Sequence, residues 1–187
     1  MKIIDKQLNG LLLLQPAVFG DERGYFYESF HISRYAELGI TLPFVQDNIS
    51  KSMKNTLRGL HYQAGNAAQG KLVQVLTGKV LDVAVDIRFG SPSFGKYFAA
   101  EISEENHYQL WIPAGFAHGF SVLSDEAIFS YKCTELYSKN DERTIVYNDA
   151  DLNIDWKVSS PVLSPKDLLG KKLFEIEKDF FFNMEVL

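Results

Sequence analysis

An all-β fold, a sandwich or barrel, is predicted here by three observations. Apolar and polar residues alternate in mid-chain, short segments of this kind recur with turn residues between them, and aromatic residues reach 13%. The alternation is clearest where Val83, Val85 and Ile87 interleave with Asp82, Ala84 and Asp86, giving one apolar and one polar face. Thr77-Gly78-Lys79 splits 71–88 into two runs and reads as a hairpin turn, because glycine adopts φ > 0 freely. Strands are then predicted over 97–102, 108–112, 118–123 and 127–133. Between them lie Phe89-Gly90-Ser91-Pro92, Pro113-Ala114-Gly115 and Ser124-Asp125-Glu126.

Helical signals are sparse. Residues 33–38 have room for a turn or two. Ser164-Pro165-Lys166-Asp167 offers a capping serine followed by proline at the first helical position. Residues 168–182 read as a short helix plus an irregular segment. No linker, low-complexity stretch or long-period repeat interrupts the chain. The expectation is a single domain over 1–187, with an N-terminal arm and short peripheral helices at the C-terminal edge.

Charge and composition exclude several classes. With 19 basic against 24 acidic residues the net charge is −5, and no Lys/Arg cluster offers a phosphate backbone a basic face, so no nucleic acid is expected. The apolar run over 11–14 is far too short to cross a bilayer, and the first residues lack a signal-peptide apolar core. The single Cys133 cannot form an intramolecular disulfide, which fits a reducing cytoplasm.

Many hydrogen-bonding residues sit on strand-like segments: Arg23, Glu28, Gln46, Asn48, Arg58, His61, Gln63, Lys71, His118 and Tyr131. Burying such groups is costly unless they are paired, and a ligand site is the usual reason the cost persists. His61 in Leu57-Arg58-Gly59-Leu60-His61-Tyr62-Gln63 and His118 in Pro113-Ala114-Gly115-Phe116-Ala117-His118 have the spacing of a double-stranded β-helix, the cupin or jelly-roll barrel. A metal-binding cupin brings more histidines and a carboxylate. Here Lys71 falls where a carboxylate would stand, so no metal is expected.

At these residues the sequence resembles the dTDP-4-dehydrorhamnose 3,5-epimerase family. The likeness is carried in order by Asp21–Phe30, Gln46–Ser52, Leu57–Gln63, Gly70-Lys71-Leu72-Val73, 82–88 with Ser91-Pro92, 111–120, Tyr131-Lys132-Cys133-Thr134 and Ser164-Pro165-Lys166-Asp167. It spans about residues 10–170. Departures are Asn66-Ala67-Ala68 in place of a proline-containing stretch, Asp141-Glu142-Arg143-Thr144 without the glycine that follows the glutamate in the family, Tyr147 in place of tryptophan, and a longer Phe180-Phe181-Phe182 end. The resemblance implies a cupin homodimer, free of metal and organic cofactor, that acts on a dTDP-linked 4-keto-6-deoxyhexose. It also implies site residues shared across the dimer.

Such a sugar has acidic protons at C3 and C5 because both carbons flank the C4 ketone. Epimerisation needs a base on one ring face, an acid on the other and a cation at the enolate oxygen. His61, with an ordinary pKa of about 6.5, suits the base. The resemblance makes Asp167 its orienting carboxylate and Tyr131 the acid, and Lys71 fits the enolate oxygen. Arg23 is the diphosphate candidate, helped by Arg58 and Lys166. By the same resemblance Tyr137 would stack on the base. Glu28, Gln46, Asp47, Asn48 and Glu142 would hydrogen-bond base and sugar, and His118 would contact the sugar. Rival readings are a C3-only epimerase, a 3,4-ketoisomerase, a non-catalytic sugar-nucleotide-binding cupin, and a metal-dependent cupin enzyme.

Overall fold

The computed structural model describes residues 1–183. The last residues of the expected domain, 184–187, lie outside the described residues. In chain order the strands begin with β1 (Lys2–Gln7), β2 (Leu11–Gln15), β3 (Val18–Asp21), β4 (Gly24–Tyr27), β5 (Gln46–Met53), β6 (Leu57–Gln63) and β7 (Lys71–Thr77). They continue with β8 (Lys79–Asp86), β9 (Tyr97–Ser103), β10 (Gln109–Ile112), β11 (Phe116–Val122), β12 (Glu126–Cys133) and β13 (Glu142–Thr144). A six-stranded sheet, β1-β2-β10-β7-β12-β5, faces a five-stranded one, β13-β6-β11-β8-β9, and β3-β4 form a separate hairpin. This is the double-stranded β-helix that the histidine spacing suggested. The strands expected over 97–102, 108–112, 118–123 and 127–133 form as β9 to β12.

Thr77-Gly78-Lys79 is a corner and not a hairpin turn. It joins β7 of one sheet to β8 of the other, and the two strands are not paired. Gly78 is needed there for space as well as for its φ of +81°. A Cβ would stand 2.1 Å from the Glu126 carbonyl oxygen. Alternation sees the break in the chain but cannot tell a turn within one sheet from a step between two.

Between the sheets Leu11, Leu13, Val73, Val75, Leu110 and Phe129 meet Val80, Ala84, Ile102, Phe116, Phe120 and Val122. Each large side chain so buried contributes roughly 1.5–3 kcal/mol. The polar face of β8 is the inward one. Its apolar face, with Leu81, Val83, Val85 and Ile87, is covered from outside by Ile145, Leu152, Trp156, Leu173 and Ile176. Tyr147 packs beside this cluster, and its carbonyl accepts the Trp156 indole N–H at 2.8 Å.

The expected N-terminal arm is only partly an arm. The apolar run of β2 is buried on both faces, with Leu11 and Leu13 inward and Leu12 and Leu14 beneath Tyr35 and Ile40, so β1 and β2 join the sheet. What projects is the β3-β4 hairpin, where Phe19, Tyr25 and Phe26 are exposed. Helices are α1 (Ile32–Ala36) and α2 (Pro165–Leu168). The helix expected within 168–182 shrinks to a 3-10 turn at Leu173–Glu175. The Phe-rich end is instead held as extended backbone, since Phe89 N–H donates to the Phe180 carbonyl and Phe182 N–H to that of Phe89, both at 2.9 Å. No helix among the described residues is long and apolar enough to cross a membrane.

Candidate active site

β6 delivers its side chains through a bulge. Along β11, His118 pairs with His61 and Phe120 with Arg58, so β6 uses one residue more than its neighbour over the same length. The extra residue reverses the parity of the strand and turns Arg58 and His61 to the same side. Gly59, at φ +127°, permits it. A Cβ there would lie 2.5 Å from the Gly119 Cα, so the two strands touch backbone to backbone.

His61, Lys71 and Tyr131 line one cavity, with Gln46, Asn48, Tyr62, Gln63, Gln69, Cys133, Tyr137 and Glu142. His61 and Gln63 come from the five-stranded sheet, while Lys71, Tyr131 and Cys133 come from the six-stranded sheet opposite. The imidazole and the phenol therefore stand on opposing walls. Lys71 sits directly across from Cys133 in the β7-β12 pairing. Beyond this polar end Phe129 stacks on Phe120 at 4.2 Å and the barrel is filled with apolar side chains.

The Ser-Pro-Lys-Asp motif explains how a carboxylate reaches His61. Ser164 caps α2 and Pro165 occupies its first turn. Asp167 at the third position completes a capping box by accepting the Ser164 N–H and hydroxyl. That leaves Oδ1 of the buried Asp167 2.5 Å from His61 Nε2. Burial pushes the Asp167 carboxyl up, but the hydrogen bonds from His61 and Ser164 outweigh it and hold it below its ordinary value. An ionised carboxylate only accepts, so the imidazole proton sits on Nε2 and Nδ1 carries the lone pair. Burial lowers the His61 pKa and Asp167 raises it, with a net result below 6.5.

Burial also pushes the Lys71 ammonium down, against Cys133, Asp82 and Glu142, which raise it. Lys71 forms no ion pair among the described residues, so its amino group is not committed to a carboxylate of the chain. Burial, then the neighbouring Cys133, raises the Tyr131 phenol above its ordinary value. A phenol held above 10 stays protonated near neutrality and can donate.

At the mouth, Tyr137 is exposed and its hydroxyl donates to Glu142 at 3.3 Å. Lys166 Nζ donates to the other Glu142 oxygen at 2.7 Å. Gln46 is engaged within the chain at both ends of its amide, on the Tyr137 N–H and on Asn48. Its expected hydrogen bonds to base or sugar therefore compete with existing ones.

Several expected binding residues stand away from this cavity within the chain. Arg23 is at the tip of the β3-β4 hairpin, 89% exposed and paired with Asp21. Glu28 pairs with Arg34 near α1. Asp47 falls on the outward parity of β5 and binds Lys132 at 2.8 Å, whereas Gln46 and Asn48 face inward. Arg58 donates to Ser52 Oγ at 3.0 Å and acts on Tyr131 by charge, but does not line the cavity. His118 lies outside the lining too, since its Nε2 is 2.9 Å from Asp82 and its ring stacks on Phe129 in the interior. Gln63, noted among the polar strand residues but given no role, lines the cavity, and sequence reasoning missed Cys133 and Gln69. Cys133 was recoverable, because period-two alternation from Tyr131 puts it on the same face. Among the described residues no group of three or more His, Cys, Asp or Glu side chains could hold a metal ion.

A family model described as dTDP-4-dehydrorhamnose 3,5-epimerase matches residues 5–175. The chain belongs to the dTDP-4-dehydrorhamnose 3,5-epimerase family. A Shigella flexneri member of that name is 53% identical over 97% of this chain and 99% of its own length. A crystal structure of the Legionella pneumophila Philadelphia 1 epimerase, in complex with dTDP-4-keto-L-rhamnose, superposes with a TM-score of 0.94. It is 53% identical and the match covers 97% of this chain and 98% of that one. A dTDP-4-dehydrorhamnose 3-epimerase from Streptomyces niveus is also similar, at 33% identity over 89% of this chain and 81% of its own.

Proposed function

We propose that the protein converts dTDP-4-dehydro-6-deoxy-D-glucose to dTDP-4-dehydro-L-rhamnose by inverting C3 and C5, in dTDP-L-rhamnose synthesis. The observation that carries this reading is the pairing of a carboxylate-oriented imidazole with a phenol on the opposing wall of one cavity, beside an unpaired ammonium. His61 takes the proton from the carbon next to the C4 ketone, and the electron pair moves onto the ketone oxygen. Lys71 stabilises the enolate; loss of such a donor typically costs about 10²–10³ in rate. Tyr131 returns a proton to the opposite ring face and is refilled from solvent, while His61 gives up its proton to solvent before the second carbon reacts. Only protons move, so the chemistry calls for neither a redox group nor an organic cofactor. The test is NMR of the 4-keto sugar nucleotide in D₂O, with deuterium expected at both C3 and C5. Deuterium at C3 alone would make the protein a C3-only epimerase.

The same reading makes the working unit a cytoplasmic homodimer of single-domain chains. It is supported by the exposed hairpin residues Phe19, Tyr25 and Phe26, and by Val45, Ile49 and Met53 along the outward side of the β5 region. Exposed apolar area of this kind is characteristic of an interface. Arg23, remote from its own cavity, would then reach the diphosphate in its partner's, with Glu28 following it. Mixing Arg23→Ala with His61→Ala should therefore restore activity that neither variant has alone. One site of each mixed dimer would combine an intact His61 with an intact Arg23. Mixtures no more active than their parents would show that each chain builds its site alone.

A further inference from the structure

The loop over 134–141 carries Tyr137 and is irregular, yet its backbone is fastened from three directions. Gln46 of β5 accepts the Tyr137 N–H at 2.9 Å. Gln63 of β6 accepts the Ser138 N–H at 2.8 Å. Gln69, just before β7, donates to the Glu135 carbonyl at 2.9 Å. These three side chains also line the cavity. The start of the loop is pinned as well, with Gly70 N–H donating to Thr134 Oγ1 at 2.8 Å.

We propose that Gln46, Gln63 and Gln69 are positioning residues that preset this loop, and Tyr137 with it, for the nucleoside end of the substrate. The inference rests on the reading of Tyr137 as the residue that stacks on the base. A ring on a free loop would lose conformational entropy on binding, and one already held does not. Leu136 and Tyr137 have 59% and 51% of their surface exposed, so packing cannot supply the hold that the three amides do. Each amide is wired by polarity, with two accepting from backbone N–H and one donating to a carbonyl. Shape alone cannot replace that.

The wiring gives a specific test, with dTDP as the probe in calorimetric titration and with KM and kcat measured on the 4-keto sugar nucleotide. Gln69→Glu keeps the shape but sets an acceptor against the Glu135 carbonyl. It is expected to raise the Kd for dTDP and the KM about tenfold while kcat changes little. Gln63→Met removes an acceptor and should behave alike, whereas Gln63→Glu keeps the acceptor and should recover most of the affinity. If Tyr137→Ala weakens dTDP and Gln69→Glu does not, the loop needs no amide clamp and the inference fails. If Tyr137→Ala itself leaves dTDP affinity unchanged, it is the stacking role of Tyr137 that fails. A fall in kcat with unchanged KM would place the glutamines in the chemical step and also overturn the proposal.

Discussion

His61→Asn is expected to abolish exchange at both C3 and C5 while dTDP still binds. An amide fills nearly the same space but cannot take up a proton. The loss of a positioned base costs about 10²–10⁴ in rate, and both carbons depend on the same imidazole. The measurement is deuterium wash-in by NMR, with dTDP titration as the control for folding. Exchange at wild-type rate would remove His61 from the chemistry. The wild-type pH profile follows from the same group. Imidazole must be neutral to act as a base, and burial holds its pKa below 6.5 in spite of Asp167. The half-point of the fall in kcat/KM on the acid side should therefore lie below that of an ordinary imidazole. A half-point above 6.5 would mean that the base is another group or that Asp167 outweighs the burial.

Tyr131→Phe is expected to separate the two inversions. The ring, its place near Phe129 and the opposing imidazole all persist, so the C3 proton should still exchange. Inversion at C5 needs a proton delivered from the far side and should fall by about 10²–10³. Following both positions in one D₂O experiment makes C3 an internal reference. Equal loss at both carbons would mean that the hydroxyl serves the enolate as a whole, and no loss at either would dismiss it as the acid.

Much of this was legible in the sequence, for identifiable reasons. Strands β8 to β12 could be read because a strand with one face on a core must alternate, and turn residues mark its ends. The His61–Asp167 couple spans 106 positions and no local pattern reveals it. It was expected only because both motifs resembled those of one family. The bulge at Gly59 was not legible, since alternation assumes that parity never changes, and neither was the sheet change at Gly78. Arg23, Glu28 and Asp47 show another limit. A residue type suited to phosphate or sugar says nothing about which way its strand faces, nor whether its hairpin turns toward its own cavity. The glutamine clamp escaped notice because its partners are backbone groups, which any sequence would supply.

The packed half of the barrel has a consequence for the order of events. With side chains filling the interior from Phe129 onward, the chamber is a cul-de-sac. With the hexose at His61 and the base at Tyr137, a sugar nucleotide would enter hexose first and its epimer would back out past Tyr137. On the proposed reading entry and exit cannot overlap, and the dTDP portion would lie across the mouth at Tyr137 while the ring is being remade.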